Sequence, residues 1–372
     1  LLRLVAAAVT AGGLAAGSAI APPVPPTAQA TPGRQYLVVG GTLEPVAAVL
    51  AVNGPRMTRV GRPVHTGAGF SLGAVPHPSG KFVYFTGYSS GSLRGYRLHD
   101  NGRLTPVPGA FTHPGGPVVG ISFTPDGRFL FAAAGTSFTT EMLTYSVAPS
   151  GALTLRHRTI VPGPVSGMSI PVTSPDGRHL FVPSWIQGTM DSYRIGPSGS
   201  LSRVGTQQWS GIGPALPSVS PNGRYLYITN EGLQTISGWR VGRGGALTPV
   251  GMFWAGLGPH GLAIHPNSRY VYFPIGGQFR VEGRRILPGG ALAPLPGGSA
   301  ALPFGHAPSR VVLSPDGKWL YAIGASLPAA RGSVTAFRVL PSGALRLAGG
   351  PIDIGIMAND GATAYLATPP AG

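Results

Sequence analysis

A short phrase recurs six times along the chain, and its spacing constrains the fold more than any other feature. Each copy is a tight turn that begins with proline, followed by a basic residue and a run of large apolar residues. The turn prolines are Pro78, Pro125, Pro175, Pro221, Pro266 and Pro315, and a degenerate seventh turn is Asn359-Asp360-Gly361. Successive turns lie 44 to 50 residues apart, which is the period of β-propeller blades and longer than that of most solenoid repeats.

The strand after each turn is predicted to be buried on both faces. Counting from the proline, positions four and six are aromatic in nearly every copy, as in Tyr225 and Tyr227, with His179 as the partial exception. Position five is also apolar, as in Leu226. A strand that is apolar on both faces needs cover on both sides, and stacked propeller blades supply it. With three further strands per repeat, the sequence predicts an all-β, seven-bladed β-propeller with four antiparallel strands per blade.

Composition agrees with many short strands and tight turns. The 372 residues include 59 glycines and 40 prolines, and 43% of the residues are hydrophobic. Cysteine is absent, which excludes disulfides, thiol nucleophiles and zinc–thiolate sites. The spacing of His, Asp and Glu does not indicate a metal site, and the sequence has no cofactor motif. We therefore expect neither a metal nor a cofactor.

The two ends of the chain are predicted to close the ring. Residues 36–61 resemble the later strands of a blade that lacks its first strand. Residues 352–368 supply a first strand and one more, so pairing of N- and C-terminal strands completes the seventh blade. This count gives one strand too many, and the sequence leaves open whether residues 36–40 or residues 363–367 are displaced.

The first 30 residues have the composition of an export signal. Arg3 is a minimal positive region, Leu4 to Ile20 is an apolar stretch rich in Ala, Leu and Val, and Ala28-Gln29-Ala30 fits a signal-peptidase site. We expect residues 1–30 to be a signal peptide and residues 31–372 to form a single propeller domain. That domain is expected to be secreted or extracytoplasmic, monomeric, and not membrane-spanning once processed. An uncleaved anchor is the alternative interpretation.

The chain is strongly basic, with a net charge of +16 that reflects only 11 acidic residues against 27 basic ones. The arginines are scattered rather than clustered, so no nucleic-acid partner is expected. Six bases follow the turns at equivalent positions: Lys81, Arg128, Arg178, Arg224, Arg269 and Lys318. This ring could hold an anionic cell-envelope polymer, although solvation of strand ends is the simpler interpretation.

The order of strands and connections sorts the loops onto two faces. The turns between first and second strands, and between third and fourth, share one face, which we call the turn face. The remaining loops share the other face, called here the mouth face, where the first strand of each blade begins beside the central channel. One arc of that face, from the fourth to the seventh blade by turn number, collects most of the polar candidates: Glu231, His260, His306, Ser309, Arg310 and Asp353. An acid, an imidazole and a guanidinium converging on a pocket can perform general acid/base chemistry, whereas polar residues around a water-filled channel are the structural alternative.

The repeated turn phrase and the Pro-Ser-Gly-Ala-Leu units that follow it resemble the lactonase-type propellers, the family of the cycloisomerase-related 6-phosphogluconolactonases, over about residues 34–368. The resemblance implies an Arg-His pair opening one inner strand after Gly-Pro, and a Glu after Asn at the end of the next strand. Here Asn230-Glu231 is present, but Gly213-Pro214 is followed by Ala215-Leu216. His260, which follows another Gly-Pro, and Arg310 are the residues we expect to replace the missing pair.

Two classes of function follow. The first is an exported lactonase that hydrolyses a sugar lactone or another small lactone by general acid/base catalysis. Glu231, His260 and Arg310 would be catalytic: Glu231 would position or deprotonate the attacking water, and His260 or Arg310 would polarise the lactone carbonyl. Asn230, His306, Ser309 and Asp353 would bind the substrate. The second is a non-catalytic propeller that binds a carbohydrate, another cell-envelope ligand or a protein partner, which the missing Arg-His pair favours. A redox enzyme with a small cofactor at the mouth is a third interpretation, for which no motif is present.

Overall fold

The computed structural model describes residues 35–42, 44–135, 139–161, 169–327, 329–357 and 364–367. The predicted signal peptide and the seventh turn at Asn359 lie outside these residues. The described chain forms seven antiparallel sheets, the blades of a seven-bladed β-propeller. We number the blades by their turns, so the blade that contains both chain ends is blade 7.

The first strands of the chain belong to blade 7, and the complete blades 1 to 3 follow. Blade 7 contains β1 (Gln35–Gly40), β2 (Val46–Asn53), β3 (Arg56–Arg59) and β4 (Val64–His65). Blade 1 contains β5 (Gly73–Pro76), β6 (Phe82–Gly87), β7 (Ser92–Leu98) and β8 (Leu104–Thr112). Blade 2 contains β9 (Val118–Phe123), β10 (Phe129–Gly135), β11 (Thr140–Val147) and β12 (Leu153–Val161). Blade 3 contains β13 (Val172–Thr173), β14 (His179–Ser184), β15 (Thr189–Ile195) and β16 (Leu201–Trp209).

Blades 4 to 6 repeat the pattern, and the last strand returns to blade 7. Blade 4 contains β17 (Pro214–Val219), β18 (Tyr225–Asn230), β19 (Thr235–Val241) and β20 (Leu247–Trp254). Blade 5 contains β21 (Ala263–Ile264), β22 (Tyr270–Ile275), a 3-10 turn (Gly276–Gln278), β23 (Arg280–Ile286), β24 (Leu292–Pro294) and β25 (Ala300–Ala301). Blade 6 contains β26 (His306–Leu313), β27 (Trp319–Ser326), β28 (Arg331–Val339) and β29 (Leu345–Asp353), and β30 (Ala364–Ala367) completes blade 7.

The ring closes through the two ends of the chain, as predicted. β1 pairs with β2 on one side and with β30 on the other. β30 therefore occupies the first-strand position of blade 7 and β1 the second, so neither of the two candidate strands is displaced. The surplus in the count lies at residues 352–357, because Asp353 ends the outer strand of blade 6. Ile354 and Ile356 after it are buried in the apolar layer between blades 6 and 7.

The apolar layers lie between neighbouring blades, which explains why the second strands are apolar on both faces. Phe82 and Tyr84 of blade 1, for example, share one cluster with Ile121 and Leu130 of blade 2. Burial of large apolar side chains is the main favourable contribution to folding. In a propeller this contribution is therefore distributed around the ring rather than concentrated in one central core.

A hydroxyl–glycine hydrogen bond joins most neighbouring blades. The tyrosine at position six of the repeated phrase donates to the carbonyl of a glycine in the third-to-fourth-strand turn of the next blade: Tyr84 to Gly151, 2.5 Å; Tyr227 to Gly290, 2.6 Å; Tyr272 to Gly343, 2.7 Å; Tyr321 to Gly54, 2.9 Å. Blades 2 and 3 have phenylalanine at this position. There the residue opposite on the third strand supplies the hydroxyl: Thr144 to Gly199, 3.0 Å; Ser192 to Gly245, 2.7 Å. The hydroxyl that bonds the glycine carbonyl therefore occupies the same place in these blades, although it comes from the third strand in blades 2 and 3 and from the second strand in the others.

The turn face is held by local contacts of its own polar residues. In blade 2 the Asp126 carboxylate accepts hydrogen bonds from the Thr124 hydroxyl at 2.6 Å and from the Arg128 backbone N–H at 3.0 Å. Asp176, Asn222 and Asp316 make the same two contacts in their own turns. The turn carboxylates thus cap the turns that contain them, which supports the structural interpretation of the six-base ring. No helix in the part of the chain that the structure describes is long and apolar enough to cross a membrane.

Candidate functional site

The inner strands leave their regular pairing where they reach the mouth face. Pairing is interrupted beside Val119 in blade 2, between Ala215 and Ser218 in blade 4, and beside Ser309 in blade 6. In blade 5 His260 lies just before β21, after Pro259, which forms an isolated bridge with Ile275. Irregularities of this kind turn side chains away from the sheet. The mouth-face ends of these inner strands are therefore the places where the backbone departs from a regular sheet.

Glu231 and His260 meet at this mouth across the boundary between blades 4 and 5. Glu231 Oε1 lies 2.5 Å from His260 Nδ1, which is a short hydrogen-bond distance. The His260 side chain is 8% exposed and that of Glu231 is 25% exposed. The imidazole is thus largely enclosed while the carboxylate keeps contact with solvent. We call these two residues the Glu231–His260 pair.

Backbone contacts fix the position of Glu231. Its N–H donates to the Gly213 carbonyl at 2.9 Å, and the next N–H, of Gly232, donates to the Ile212 carbonyl at 3.0 Å. Both acceptors belong to the segment that enters β17. The loop carrying the carboxylate is therefore tied to the start of the inner strand of its own blade.

Thr229 fixes the position of His260. Its hydroxyl donates to the Ala215 carbonyl at 2.9 Å and accepts from the Gly261 N–H, also at 2.9 Å. Thr229 is fully buried, so these two bonds connect blade 4 to the residue that follows His260. Thr229 was not predicted from the sequence, because a threonine inside a buried strand has no pattern that marks it as part of a site.

Arg310 approaches the pair from blade 6. It is buried, and a methyl group added at Gly261 would lie 3.0 Å from Arg310 Nη1 and 2.8 Å from Leu216 Cδ1. Gly261 has a φ of +74°, a backbone conformation that favours glycine. The absent side chain at Gly261 thus leaves room for the Arg310 guanidinium and the Leu216 side chain next to the residue that follows His260.

Asn230 and Ser309 lie behind the mouth rather than at its surface. Asn230 is fully buried. Its amide accepts from Ser210 at 3.2 Å and donates to Thr235 at 3.1 Å and to Ser237 at 2.9 Å. Ser309 is also buried, and its hydroxyl lies 3.4 Å from the Ile323 carbonyl. These contacts give Asn230 a role in holding the loop that carries Glu231, and its predicted role in substrate binding stays a prediction.

His306 and Asp353 take up positions further out in blade 6. His306 begins β26, and its Nδ1 lies 3.0 Å from the Ser333 hydroxyl. Asp353 was expected to begin an inner strand, but it ends the outer strand β29 and accepts a hydrogen bond from the Gly355 N–H at 2.6 Å. The expectation failed because the C-terminal segment was counted as an inner strand. The described contacts do not join either residue to the Glu231–His260 pair.

Apolar side chains cluster at the mouth-face ends of the inner strands of blades 1 to 4. Leu72, Val119, Ile170, Ala215 and Leu216, from blades 1 to 4, form one buried cluster with Phe70 and Tyr88 against it. Leu216 has a φ of +56°, a conformation that a bulky residue adopts only where its surroundings enforce it. The resemblance placed a histidine of the family at this position, whereas the leucine here closes the floor of the mouth on that side.

Two pockets lie away from the pair, and they carry no comparable chemistry. One, of about 350 Å³, lies on the mouth face between blades 1 and 2 and is lined by Tyr88, Ser89, Ser90 and His113 among others. The other, of about 340 Å³, lies on the turn face beside Asp126 and Asp176. Among the described residues there is no group of three or more His, Asp or Glu side chains placed to hold a metal ion.

Comparison with known proteins agrees with this architecture. The sequence profile of the family described as "Lactonase, 7-bladed beta-propeller" matches residues 46–275. No individually curated protein matches the chain.

Solved structures from several bacteria share the fold. The periplasmic gluconolactonase PpgL of Pseudomonas aeruginosa is 19% identical, with a TM-score of 0.70 over 90% of this chain and 100% of that one. A 6-phosphogluconolactonase-like protein of Bacteroides fragilis is 16% identical, with a TM-score of 0.72 over 90% of this chain and 98% of that one. The hydrazine synthase of Kuenenia stuttgartiensis is 17% identical, with a TM-score of 0.58 over 84% of this chain and 98% of that one. Because that last protein has a different kind of reaction, the shared fold does not define the chemistry.

The family profile spans more than half of the sequence, and the blades that it covers include the one that carries Glu231 and the one that carries His260. The chain belongs to the lactonase family of seven-bladed β-propellers.

Proposed function

We propose that this protein hydrolyses a lactone at the mouth of the propeller, with the Glu231–His260 pair as the centre of the reaction. The observation that carries the proposal is the 2.5 Å contact between Glu231 Oε1 and His260 Nδ1. A carboxylate that accepts the Nδ1 proton holds a neutral imidazole in the tautomer whose lone pair is on Nε2. The same arrangement of carboxylate and imidazole activates nucleophiles in several unrelated hydrolases.

The geometry favours a division of roles different from the one expected from the sequence. His260 is the better general base, because Nδ1 is engaged with Glu231 and Nε2 makes no hydrogen bond with a described residue. Glu231 then orients the imidazole and stabilises its protonated form rather than acting on water directly. Arg310, packed against Gly261, is the group that would stabilise negative charge on the carbonyl oxygen.

The reaction requires only water and the substrate. His260 Nε2 takes a proton from water as the oxygen of that water bonds to the lactone carbonyl carbon. The negative charge that develops on the carbonyl oxygen lies beside Arg310. The tetrahedral intermediate then collapses, the ring C–O bond breaks, and the proton on Nε2 passes to the departing ring oxygen. The product is a hydroxy acid, and the enzyme returns to its starting protonation state.

The test is turnover of a lactone panel, including glucono-δ-lactone and γ-butyrolactone, by the wild-type protein and by Glu231→Gln. Loss of the carboxylate removes the control of the histidine tautomer, so kcat/KM should fall by about 100-fold or more. Glu141→Gln is the matched control, because Glu141 is paired with Arg158 at 2.7 Å between the outer strands of blade 2 and has no described contact with the Glu231–His260 pair. Equal activity of both variants would contradict the proposal.

A non-catalytic binding module is the second candidate. The observation that favours it is the apolar pair Ala215-Leu216, buried where the family resemblance implies Arg and His. This alternative predicts that the wild-type protein turns over no lactone in the panel while it still binds a ligand at the mouth.

The proposal includes export from the cytoplasm. It is supported by the composition of residues 1–30. N-terminal sequencing of the protein recovered from the native host should begin at Thr31, and a sequence that begins upstream of Thr31 would contradict cleavage at Ala30.

A further inference from the structure

Large apolar side chains are exposed around one arc of the mouth face. Six of them form what we call the apolar rim: Trp209, Ile212, Trp254, Leu257, Phe304 and Leu327. Phe304 is 91% exposed and Trp254 is 62% exposed. Single exposed apolar residues are normal on protein surfaces, but an arc of them on one face marks a surface that contacts something.

The rim lies on blades 3 to 6, and exposed apolar side chains continue along the mouth-face ends of blades 1 to 3 at Phe111, Ile160 and Ile186. Trp209 and Trp254 end the outer strands of blades 3 and 4, each opposite the first residue of the third strand of its blade. Ile212, Leu257 and Phe304 lie in the segments that enter blades 4, 5 and 6, and Leu327 follows the second strand of blade 6. The arc that carries the polar candidates therefore also carries these exposed apolar side chains.

Two rim residues flank the pair directly. A methyl group added at Gly232, next to Glu231, would lie 2.6 Å from Ile212 Cγ2. Leu257 lies three residues before His260, and its carbonyl accepts a hydrogen bond from the Gly277 N–H at 3.2 Å. A molecule whose carbonyl group reaches His260 thus meets exposed apolar side chains on the segments that enter blades 4 and 5.

The rim is held by backbone hydrogen bonds. The Gly276 N–H donates to the Gly258 carbonyl at 3.2 Å, and the Leu327 N–H donates to the Gly305 carbonyl at 2.8 Å. Together with the bonds of Glu231 and Gly232, these contacts join entering segments to loops in blades 4, 5 and 6. A surface that is ordered in advance binds a ligand with a smaller loss of conformational entropy.

The charge distribution indicates a small apolar group rather than a membrane surface. Proteins that dock on anionic lipid combine apolar and basic side chains on the same face. Here the six-base ring lies on the turn face, opposite to the rim. Arg280 and Arg284, in the third strand of blade 5, are both paired with Glu282. Arg331, the first residue of the third strand of blade 6, is exposed close to Leu327, but one base is not the basic face that docking on anionic lipid requires.

From these observations we infer that the substrate is a lactone with an apolar alkyl chain, whose ring reaches the Glu231–His260 pair while the chain lies on the apolar rim. This inference rests on the proposed function for its lactone ring, but the rim itself selects for the chain. The floor of the mouth agrees with it, because Leu216 and Ile170 present hydrocarbon where a polyhydroxylated sugar would need hydrogen-bond partners.

The test combines hydrolysis with binding. Hydrolysis is followed for γ-lactones from γ-butyrolactone to γ-dodecalactone, and kcat/KM should rise about twofold to fourfold for each added methylene. Binding is measured by titration calorimetry with cyclopentanone and 2-hexylcyclopentanone, ketones that cannot be hydrolysed. The alkylated ketone should bind at least about tenfold more tightly, since six methylene-sized groups are added.

The double variant Trp254→Ser/Leu257→Ser should weaken the dependence on chain length both of kcat/KM for the lactones and of the affinity for the ketones. The matched control is Leu155→Ser/Leu347→Ser, which removes two exposed leucines from the turn-face halves of outer strands and should leave both series as steep as in the wild type. Because the control also replaces two exposed apolar side chains by serine, a general loss of solubility or folding would appear in both variants.

The outcomes separate the two proposals. If the alkylated ketone binds more tightly while no lactone is hydrolysed, the result supports the apolar rim as the binding site of the alkyl chain and contradicts lactone hydrolysis. If lactones are hydrolysed with no dependence on chain length, the result overturns the apolar rim as a binding site for the chain and leaves the hydrolytic proposal standing. A flat ketone series, together with binding to phosphatidylglycerol vesicles that the rim variant loses, overturns it in favour of membrane docking.

Discussion

Glu231 and His260 lie on different blades and 29 residues apart, yet their side chains meet at 2.5 Å. The contact depends on three hydrogen bonds of the local fold. Backbone bonds to Ile212 and Gly213 place the carboxylate, and Thr229 ties the residue after His260 to blade 4. A carboxylate and an imidazole held in this way form a unit that could catalyse hydrolysis, and the following predictions test its parts.

Thr229→Val should lower kcat/KM indirectly, through the position of His260. The change removes a donor to the Ala215 carbonyl and an acceptor for the Gly261 N–H, and both groups stay buried. We expect the free energy of unfolding to fall by about 1–3 kcal/mol and kcat/KM to fall by about tenfold as His260 loses its position. Thr229→Ser retains the hydroxyl and should restore kcat/KM. If the serine and valine variants have the same kcat/KM, the threonine does not position His260.

Gly261→Ala should distort the site, because the added methyl group would clash with two neighbouring side chains. The added methyl group would approach Leu216 Cδ1 at 2.8 Å and Arg310 Nη1 at 3.0 Å, at a φ of +74°. We expect a loss of about 1–3 kcal/mol in the free energy of unfolding together with a fall in kcat/KM. Gly289→Ala is the matched control, since Gly289 also has a positive φ of +98° but no heavy atom within 4 Å of the added methyl group. An equal loss of activity in the control would show that strain alone, and not the arrangement around His260, is responsible.

Tyr227→Phe should loosen the joint between blades 4 and 5. It leaves the buried Gly290 carbonyl without the hydroxyl that lies 2.6 Å away, so chemical denaturation should show a loss of about 1–3 kcal/mol. Adding Gly238→Ser, on the third strand opposite Tyr227, reproduces the arrangement that Phe181 and Ser192 have in blade 3. The added Cβ would lie 2.8 Å from Cε1 of the ring at position 227, so this ring has to shift to make room, and the restored hydrogen bond should then recover part of the loss. A double variant less stable than Tyr227→Phe alone would contradict the equivalence of the two arrangements.

Stability should decrease as the pH falls below about 6.5. Burial lowers the pKa of both His77 and His179 in the folded protein, although the Gly127 carbonyl and the Asp126 charge partly oppose the shift for His77. The unfolded chain therefore binds protons at these positions more readily than the folded one. Their contribution is fully present above the ordinary histidine pKa and is lost as the pH falls through the folded values. Urea denaturation at pH 7.5 and pH 5.0 measures the difference, and NMR titration of the two imidazoles assigns it. A free energy of unfolding that is equal or higher at pH 5.0 would contradict the prediction.

Much of the fold could be predicted because the same physical problem recurs in every blade. Residues such as Leu226 and Tyr227 must be apolar on both faces of one strand, and this requirement leaves a periodic signal in the sequence. The end of the chain has no such signal. Asp353 was therefore placed on an inner strand, although it completes an outer one.

The site was predicted less completely than the fold. Glu231 and His260 are scarce polar residues at mouth positions of the repeat, so topology alone brought them to neighbouring blades. Thr229 and Gly261, which hold the pair, have no distinguishing pattern, because their role depends on a hydrogen bond between blades and on the absence of a side chain. The apolar rim was also missed, since exposure of Trp254 or Phe304 is a property of the folded surface and not of local sequence.

The central claim, that Glu231 and His260 act as one catalytic unit, is tested most directly by a double-mutant cycle on kcat/KM with γ-butyrolactone. The variants are Glu231→Gln, His260→Gln and the two combined. If the residues act as a unit, the double variant should be about as slow as His260→Gln alone, because the carboxylate has no role once its imidazole is gone. If the two losses multiply, or if His260→Gln retains wild-type kcat/KM, the two residues do not form the catalytic pair proposed for this mouth.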